Sequence, residues 1–443
     1  MMLLAFSLYL VSGMTQATKL QSGPMVGYSE MREVLLWAQT KEPAKVQFSY
    51  WEVGKTAKEG FKTASVQTNA ETVFTAKLVA DRVEPSKKYQ YQLFINDVAV
   101  NLTYPTTFQT QNIWQFRTDP PNFKVALGSC TYVNEEPYDR PGTPYGGEYH
   151  IFENIAKQQP DLMIWLGDNT YLRESDWYSW KGITHRYTHT RSRPEMQPLL
   201  ASTHHYAIWD DHDFGPNDSD RSFIHKDKTL KAFDLFWGNP SCGIPQAPGG
   251  NTSYFHWADM DFFLLDDRSF RSPNTCKTCT PEILGKAQTD WLIDALTASR
   301  APFKFVAIGG QVLNSATVYE NYIHHHQPER DYLLKRIEEE GIRNVIFLTG
   351  DRHHTELSKL VNRAGNAVYD FTVSPLTSGA ANNVTETNTN RVSNTFVNVR
   401  NFGTLEIFGT RTARQLKMSI FDSNGKEIWS QTIASEVARQ GNQ

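Results

Sequence analysis

Five short apolar runs in the middle of the chain each end in polar, metal-capable residues. Lys124–Gly128 leads into Ser129 and Cys130, and Leu162–Leu166 into Gly167, Asp168, Asn169, Thr170 and Tyr171. Tyr206–Trp209 leads into Asp210, Asp211, His212 and Asp213, and Phe305–Gly309 into Gly310 and Gln311. Asn344–Thr349 leads into Gly350, Asp351, Arg352, His353 and His354. Continuous apolar runs of this length, bounded by turn residues, predict strands buried on both faces. In open α/β sheets, ligands bind beyond the carboxyl ends of the strands. Carboxylate, thiolate, phenolate and imidazole together are a set of metal ligands. The five ends therefore predict one composite metal site.

The rest of the chain narrows the class. Its 443 residues, 40% hydrophobic and 21% charged, can bury a large core without disulfides. A net charge of −4 offers no basic footprint for nucleic acid. The start, residues 1–17, has a short apolar stretch ending in small residues near Ala17. It predicts a cleaved secretory signal peptide and a secreted or periplasmic protein, although the usual leading Lys or Arg is missing. No run is long enough to predict a transmembrane helix. No partner chain is indicated, and a monomer is expected. Of the four cysteines, Cys276 and Cys279 form a C-x-x-C in a loop-like stretch. With Cys130 on a metal, one disulfide and one free thiol remain among Cys242, Cys276 and Cys279, and the pairing stays open.

Residues 18–118 alternate in the strand period. Runs at Val34–Gln39, Lys45–Trp51, Thr72–Val79, Tyr89–Phe94 and Trp114–Arg117 predict an all-β sandwich of the immunoglobulin or fibronectin type. Asp119-Pro120-Pro121 predicts a stiff linker. From residue 122 to the end, strand and helix patterns alternate in an α/β catalytic domain. After about residue 366 strands return, with runs at Tyr369–Val373, Thr395–Val399, Leu405–Phe408, Leu416–Phe421 and Glu427–Thr432. These complete a β-sandwich flanked by helices.

Each motif has a plain structural alternative. Asp168 could cap a helix with Tyr171 on the surface. A solvated loop accounts less easily for four ionisable groups after the buried run that ends at Trp209. Asp351 and His353, two apart in an extended segment, can face one way and clasp two metals. Together, Gly128-Ser129-Cys130, Gly167-Asp168-x-x-Tyr171, Trp209-Asp210-Asp211-His212-Asp213 and Gly350-Asp351-x-His353 follow the order of the metallophosphoesterase motifs. Their substitutions resemble the PhoD-type alkaline phosphatases, with a site like that of purple acid phosphatases.

The resemblance implies a metallophosphoesterase core behind an N-terminal β-domain, and hydrolysis of phosphate esters at an Fe(III)/Ca(II) centre. It implies that Cys130, Asp168, Tyr171 and His353 hold the iron, that Asp168 bridges, and that Asp211 and Asp351 hold the second metal. His212 aligns with the histidine that meets substrate. Gln311 stands where related enzymes have a histidine ligand, and Asn217 is open between calcium binding and a turn. A two-metal site polarises phosphoryl oxygens and lowers the pKa of bound water to give a hydroxide nucleophile. Calcium takes oxygen ligands, in keeping with Asp at 211 and 351. Arg268, after the apolar run Phe262–Leu265, is open between a bidentate phosphoryl clamp and a structural ion pair. Three readings follow. They are a phosphomonoesterase, a phosphodiesterase or phospholipase-like enzyme with the same site, and an inactive surface-binding protein, which the full ligand set disfavours.

Overall fold

Where both faces of a strand are covered, alternation disappears and the strand reads as an unbroken apolar run. That is the case at the centre of two sheets in the computed structural model, which describes residues 19–381 and 384–436. The predicted signal peptide lies outside the described residues.

The first sheet has nine strands. In spatial order they are Glu427–Ala434, Gln415–Asp422, Asn401–Phe408, Phe123–Gly128, Leu162–Leu166, His204–Ile208, Leu20–Ser29, Val34–Thr40 and Thr75–Ala80. Phe123–Gly128, Leu162–Leu166 and His204–Ile208 run parallel, with Leu127 beside Ile164 and Ile164 beside Tyr206. The second sheet orders six strands as Ser253–Trp257, Met260–Leu264, Lys304–Ala307, Val345–Thr349, Ala367–Thr372 and Glu356–Val361, and the inner four are parallel.

The sheets face each other across one core. Leu127, Ile164 and Tyr206 meet Phe262, Phe305 and Leu348 there, and Tyr206 stacks on Phe255 at 3.7 Å. Met163, Trp165 and Ala207 point the other way, into a layer of helices. Among these, Lys226–Phe236 buries Thr229, Ala232, Phe233 and Phe236, the spacing of one helical face. Trp180–Arg191 starts where the Ser179 side chain accepts the Gly182 N–H at 3.0 Å. On the far side, Val306 and Phe347 pack against Gly285–Ala298 and Tyr322–Glu339. The expected sandwich flanked by helices is present. No helix among the described residues is long and apolar enough to cross a membrane.

The N-terminal region is all-β with a core of its own, and one of its two layers continues a sheet of the rest of the chain. Three of its strands extend the nine-stranded sheet, with Val26 beside His204 in a parallel pair. Its other layer is a small sheet built on Lys45–Glu52 and Lys88–Ile95. The core between them joins Val26 and Leu36 to Phe48 and Tyr91. Strands from either side of the break expected at Asp119–Pro121 therefore pair in one sheet. The junction is tight: Tyr28 N–H donates to Gly238 O at 2.8 Å, and a Cβ on Gly238 would lie 2.7 Å from Gly27 Cα. Two expected strands also differ. Residues 115–117 form a turn, and residues 395–399 form only one bridge, Thr355 to Val397.

Candidate metal centre

The parallel strands of the two sheets end on one side, and the chain leaves them in tight turns. Cys130, Asp168, Asp351 and His353 all have left-handed backbones, with φ of 60°, 51°, 62° and 53°. Such conformations cost about 1–3 kcal/mol each outside glycine and collect where function over-determines the backbone. Glycine is needed where ends touch. Gly167 has φ 88°, and a Cβ on Gly350 would lie 2.6 Å from Ser129 Cβ.

Two overlapping groups of donor atoms result. Those of Cys130, Asp168 and His353 lie within 4.8 Å of one another, and so do those of Asp168, Asp211 and His212. Asp168 belongs to both. The Cys130 thiol is fully buried, 3.7 Å from Asp168 Oδ2, and receives hydroxyl hydrogen bonds from Ser129 at 3.4 Å and Ser374 at 3.2 Å. The His353 backbone N–H donates to the same Ser374 hydroxyl. His353 Nδ1 lies 2.6 Å from Gly379 O, which places its proton there and leaves Nε2 unprotonated. That Nε2 is 3.2 Å from the Tyr171 hydroxyl. The Tyr171 ring in turn lies 4.2 Å from the His212 ring.

Asp211 opens the turn Asp211–Phe214, where Oδ1 accepts the His212 N–H at 2.9 Å and Oδ2 the Asp218 N–H at 2.7 Å. Burial alone would raise its pKa. His212, Arg268 and the Asp218 N–H outweigh that and hold the carboxyl below the usual range. Its neighbours are pushed the other way. Burial and then Asp211 drive Asp168 well up, and burial with Asp210 and Glu320 does the same to Asp351. Burial also lifts the Cys130 thiol and the Tyr171 phenol. Buried acids crowded around one shared carboxylate, with thiol, phenol and imidazole beside them, fit a pair of cations.

Six expected site residues gather here: Cys130, Asp168, Tyr171, Asp211, His212 and His353. Asp351 stands at the same end, facing Asp210, Glu320 and Asp211, outside both close groups. Arg268 does not point a free fork at the site. Its Nε donates to Asp210 Oδ1 at 2.6 Å, and Nη2 pairs with Asp210 and Glu320, the arrangement of the ion-pair alternative. Gln311 donates to Glu356 and Thr372 within a buried polar network. Asn217 is exposed, while its neighbour Asp218 supplies the backbone donor to Asp211. His204 and His205 lie buried at the opposite end of their strand, as expected. Cys276 and Cys279 are bonded, and Cys130 and Cys242 are free.

Ser374, Tyr145 and Glu320 were not visible as site residues in the sequence. Ser374 sits 244 positions from the sulfur it touches. Only Ser129, adjacent to Cys130, carried a local signal.

Residues 126–418 match the PhoD-like phosphatase family, and residues 17–113 match a domain of unknown function. Alkaline phosphatase D of Bacillus subtilis is 21% identical over 364 residues, covering 70% of this chain and 59% of that protein. This chain thus spans under two thirds of that relative's length. A solved structure of PhoD superposes with a TM-score of 0.74 at 16% identity, over 96% of this chain and 94% of that one. A purple acid phosphatase from yellow lupin seeds gives 0.69 at 11% identity, over 93% and 74%. At such identities the structures speak to the fold, whereas the family match spans more than half of the chain together with all the strand ends that build the centre. This chain belongs to the PhoD-like phosphatase family.

Proposed function

We propose that the chain hydrolyses phosphate esters at a two-cation centre, with Fe(III) held by Cys130, Asp168, Tyr171 and His353 and Ca(II) by Asp168, Asp211 and Asp351. The observation that carries this is the sharing of Asp168 between two groups of donor atoms. Bound cations would polarise the phosphoryl oxygens and lower the pKa of water at the site. The side chains do the rest. Ser129 and Ser374 hydrogen-bond the Cys130 sulfur and favour its thiolate. Gly379 fixes the His353 tautomer. His212, whose pKa burial lowers, stands beside Asp168 and Asp211, where an imidazole can meet a phosphoryl or leaving oxygen. Arg268 holds Asp210 and Glu320 in place and leaves the substrate to other groups. The Cys276–Cys279 bond supports an oxidising, exported setting.

A second reading, phosphodiester hydrolysis, is favoured by one feature. Arg268 and Arg352 are paired with carboxylates, and Arg271 is turned to Asn274 and Glu320. No free guanidinium among these meets the second charge of a monoester dianion, and a diester carries only one.

The test is metal analysis and visible absorption of the purified protein, with assays on 4-nitrophenyl phosphate and bis(4-nitrophenyl) phosphate. Bound iron, a visible charge-transfer band and hydrolysis lost on chelation are expected. A colourless, active protein holding only zinc would reject the iron assignment. Inactivity on both esters with metals supplied would reject the function.

A further inference from the structure

Two exposed tyrosines stand over the centre. Tyr145 is 44% exposed and Tyr319 48%. Their hydroxyls are turned inward. Tyr145 OH lies 3.0 Å from His353 Nδ1. Tyr319 OH accepts from Asn274 at 3.2 Å, and its segment is joined to Arg352, which stands between Asp351 and His353. One tyrosine thus lies beside His353, and the other beside Arg352, the residue between Asp351 and His353.

Each is held by its own segment. The Tyr145 carbonyl accepts from Arg400 at 3.1 Å, and its ring meets Tyr132 edge-on at 5.0 Å. The Tyr319 carbonyl accepts from Arg352, and the rings of His324 and His325 flank its ring at 6.0 and 5.6 Å. A lone exposed aromatic needs no explanation. Here two rings have their hydroxyls turned to protein groups and their bodies half exposed beside the site. Such rings offer contact area that is already ordered, so binding loses little entropy.

We propose that Tyr145 and Tyr319 form an aromatic jaw for the alcohol side of the ester, selecting esters of flat, apolar alcohols over those of small polar ones. This rests on the phosphate-ester reading above. Because the hydroxyls face the protein, the ring bodies carry the selectivity, and phenylalanine at either position preserves it.

The test is calorimetric titration of the metal-loaded protein with phenylphosphonate and methylphosphonate, whose C–P bonds resist hydrolysis. Wild type is expected to prefer phenylphosphonate by roughly tenfold, from about one good aromatic contact per ring. Tyr145→Ala and Tyr319→Ala each lower that ratio, and Tyr145→Phe and Tyr319→Phe keep it. Equal affinities in wild type, or a ratio unchanged in both alanine variants, overturn the jaw and leave the phosphate-ester reading standing, since both probes still bind. Failure to bind either phosphonate, with no hydrolysis of 4-nitrophenyl phosphate, overturns the reading and the jaw together.

Discussion

Arg268 is fully buried, and its guanidinium meets Asp210 and Glu320. Removing one member of a buried pair strands the other charge, which typically costs about 3–5 kcal/mol. Arg268→Met is therefore expected to lower stability by that order, read as a fall in the urea midpoint. A substrate clamp would instead raise KM and leave the midpoint alone. Cys130 gives the opposite pattern. Cys130→Ser keeps nearly the same volume, so stability falls only modestly, while iron content and the visible band are expected to drop together, as metal analysis and absorption spectra would read. Retained iron and colour would remove sulfur from the centre.

At the scale of elements, the strand ends were legible because burial on both faces makes an apolar run and the site makes the polar cluster after it. The direction of Arg268 was not legible, since its partners Asp210 and Glu320 are 58 and 52 positions away. The left-handed turns at Cys130, Asp168, Asp351 and His353 were hidden too, because no glycine marks them. The strand His204–Ile208 carries a prediction of its own. His205 Nδ1 accepts the Trp165 indole N–H at 2.9 Å, and Nε2 donates to Leu199 O. His204 uses the other tautomer, donating from Nδ1 to Gly27 O and accepting the Gln109 N–H. Burial lowers both pKa values, to about 4 for His204 and about 3 for His205. The unfolded chain then binds more protons below pH 6.5, so stability present above that pH is lost as it falls toward 4. Between pH 6.5 and 5 the loss is about 2 kcal/mol per histidine. Urea midpoints across that range are expected to fall, and a flat profile would mean that these rings protonate without cost.

For the whole molecule, the shared sheet is expected to couple the N-terminal region to the rest in one folding unit. Gly238→Val forces a side chain against the Gly27 backbone and is expected to destabilise the entire chain by about 3 kcal/mol or more, as overpacking does at its upper end. Fluorescence and circular dichroism should still report a single transition. Two separated transitions would show the independent domain expected from residues 18–118. The boundary near Asp119–Pro121 was legible because strand period and proline content are local, whereas the pairing of Val26 with His204 joins distant segments and was not.

That pairing also has a consequence for the order of synthesis. Leu20–Ser29 leaves the ribosome about 180 residues before its partner strand, roughly 10–35 s at ordinary elongation rates. For that interval one edge of the first strand has nothing to pair with. Chains released before residue 204 keep it bare, and a bare edge of this kind recruits any other strand that drifts by.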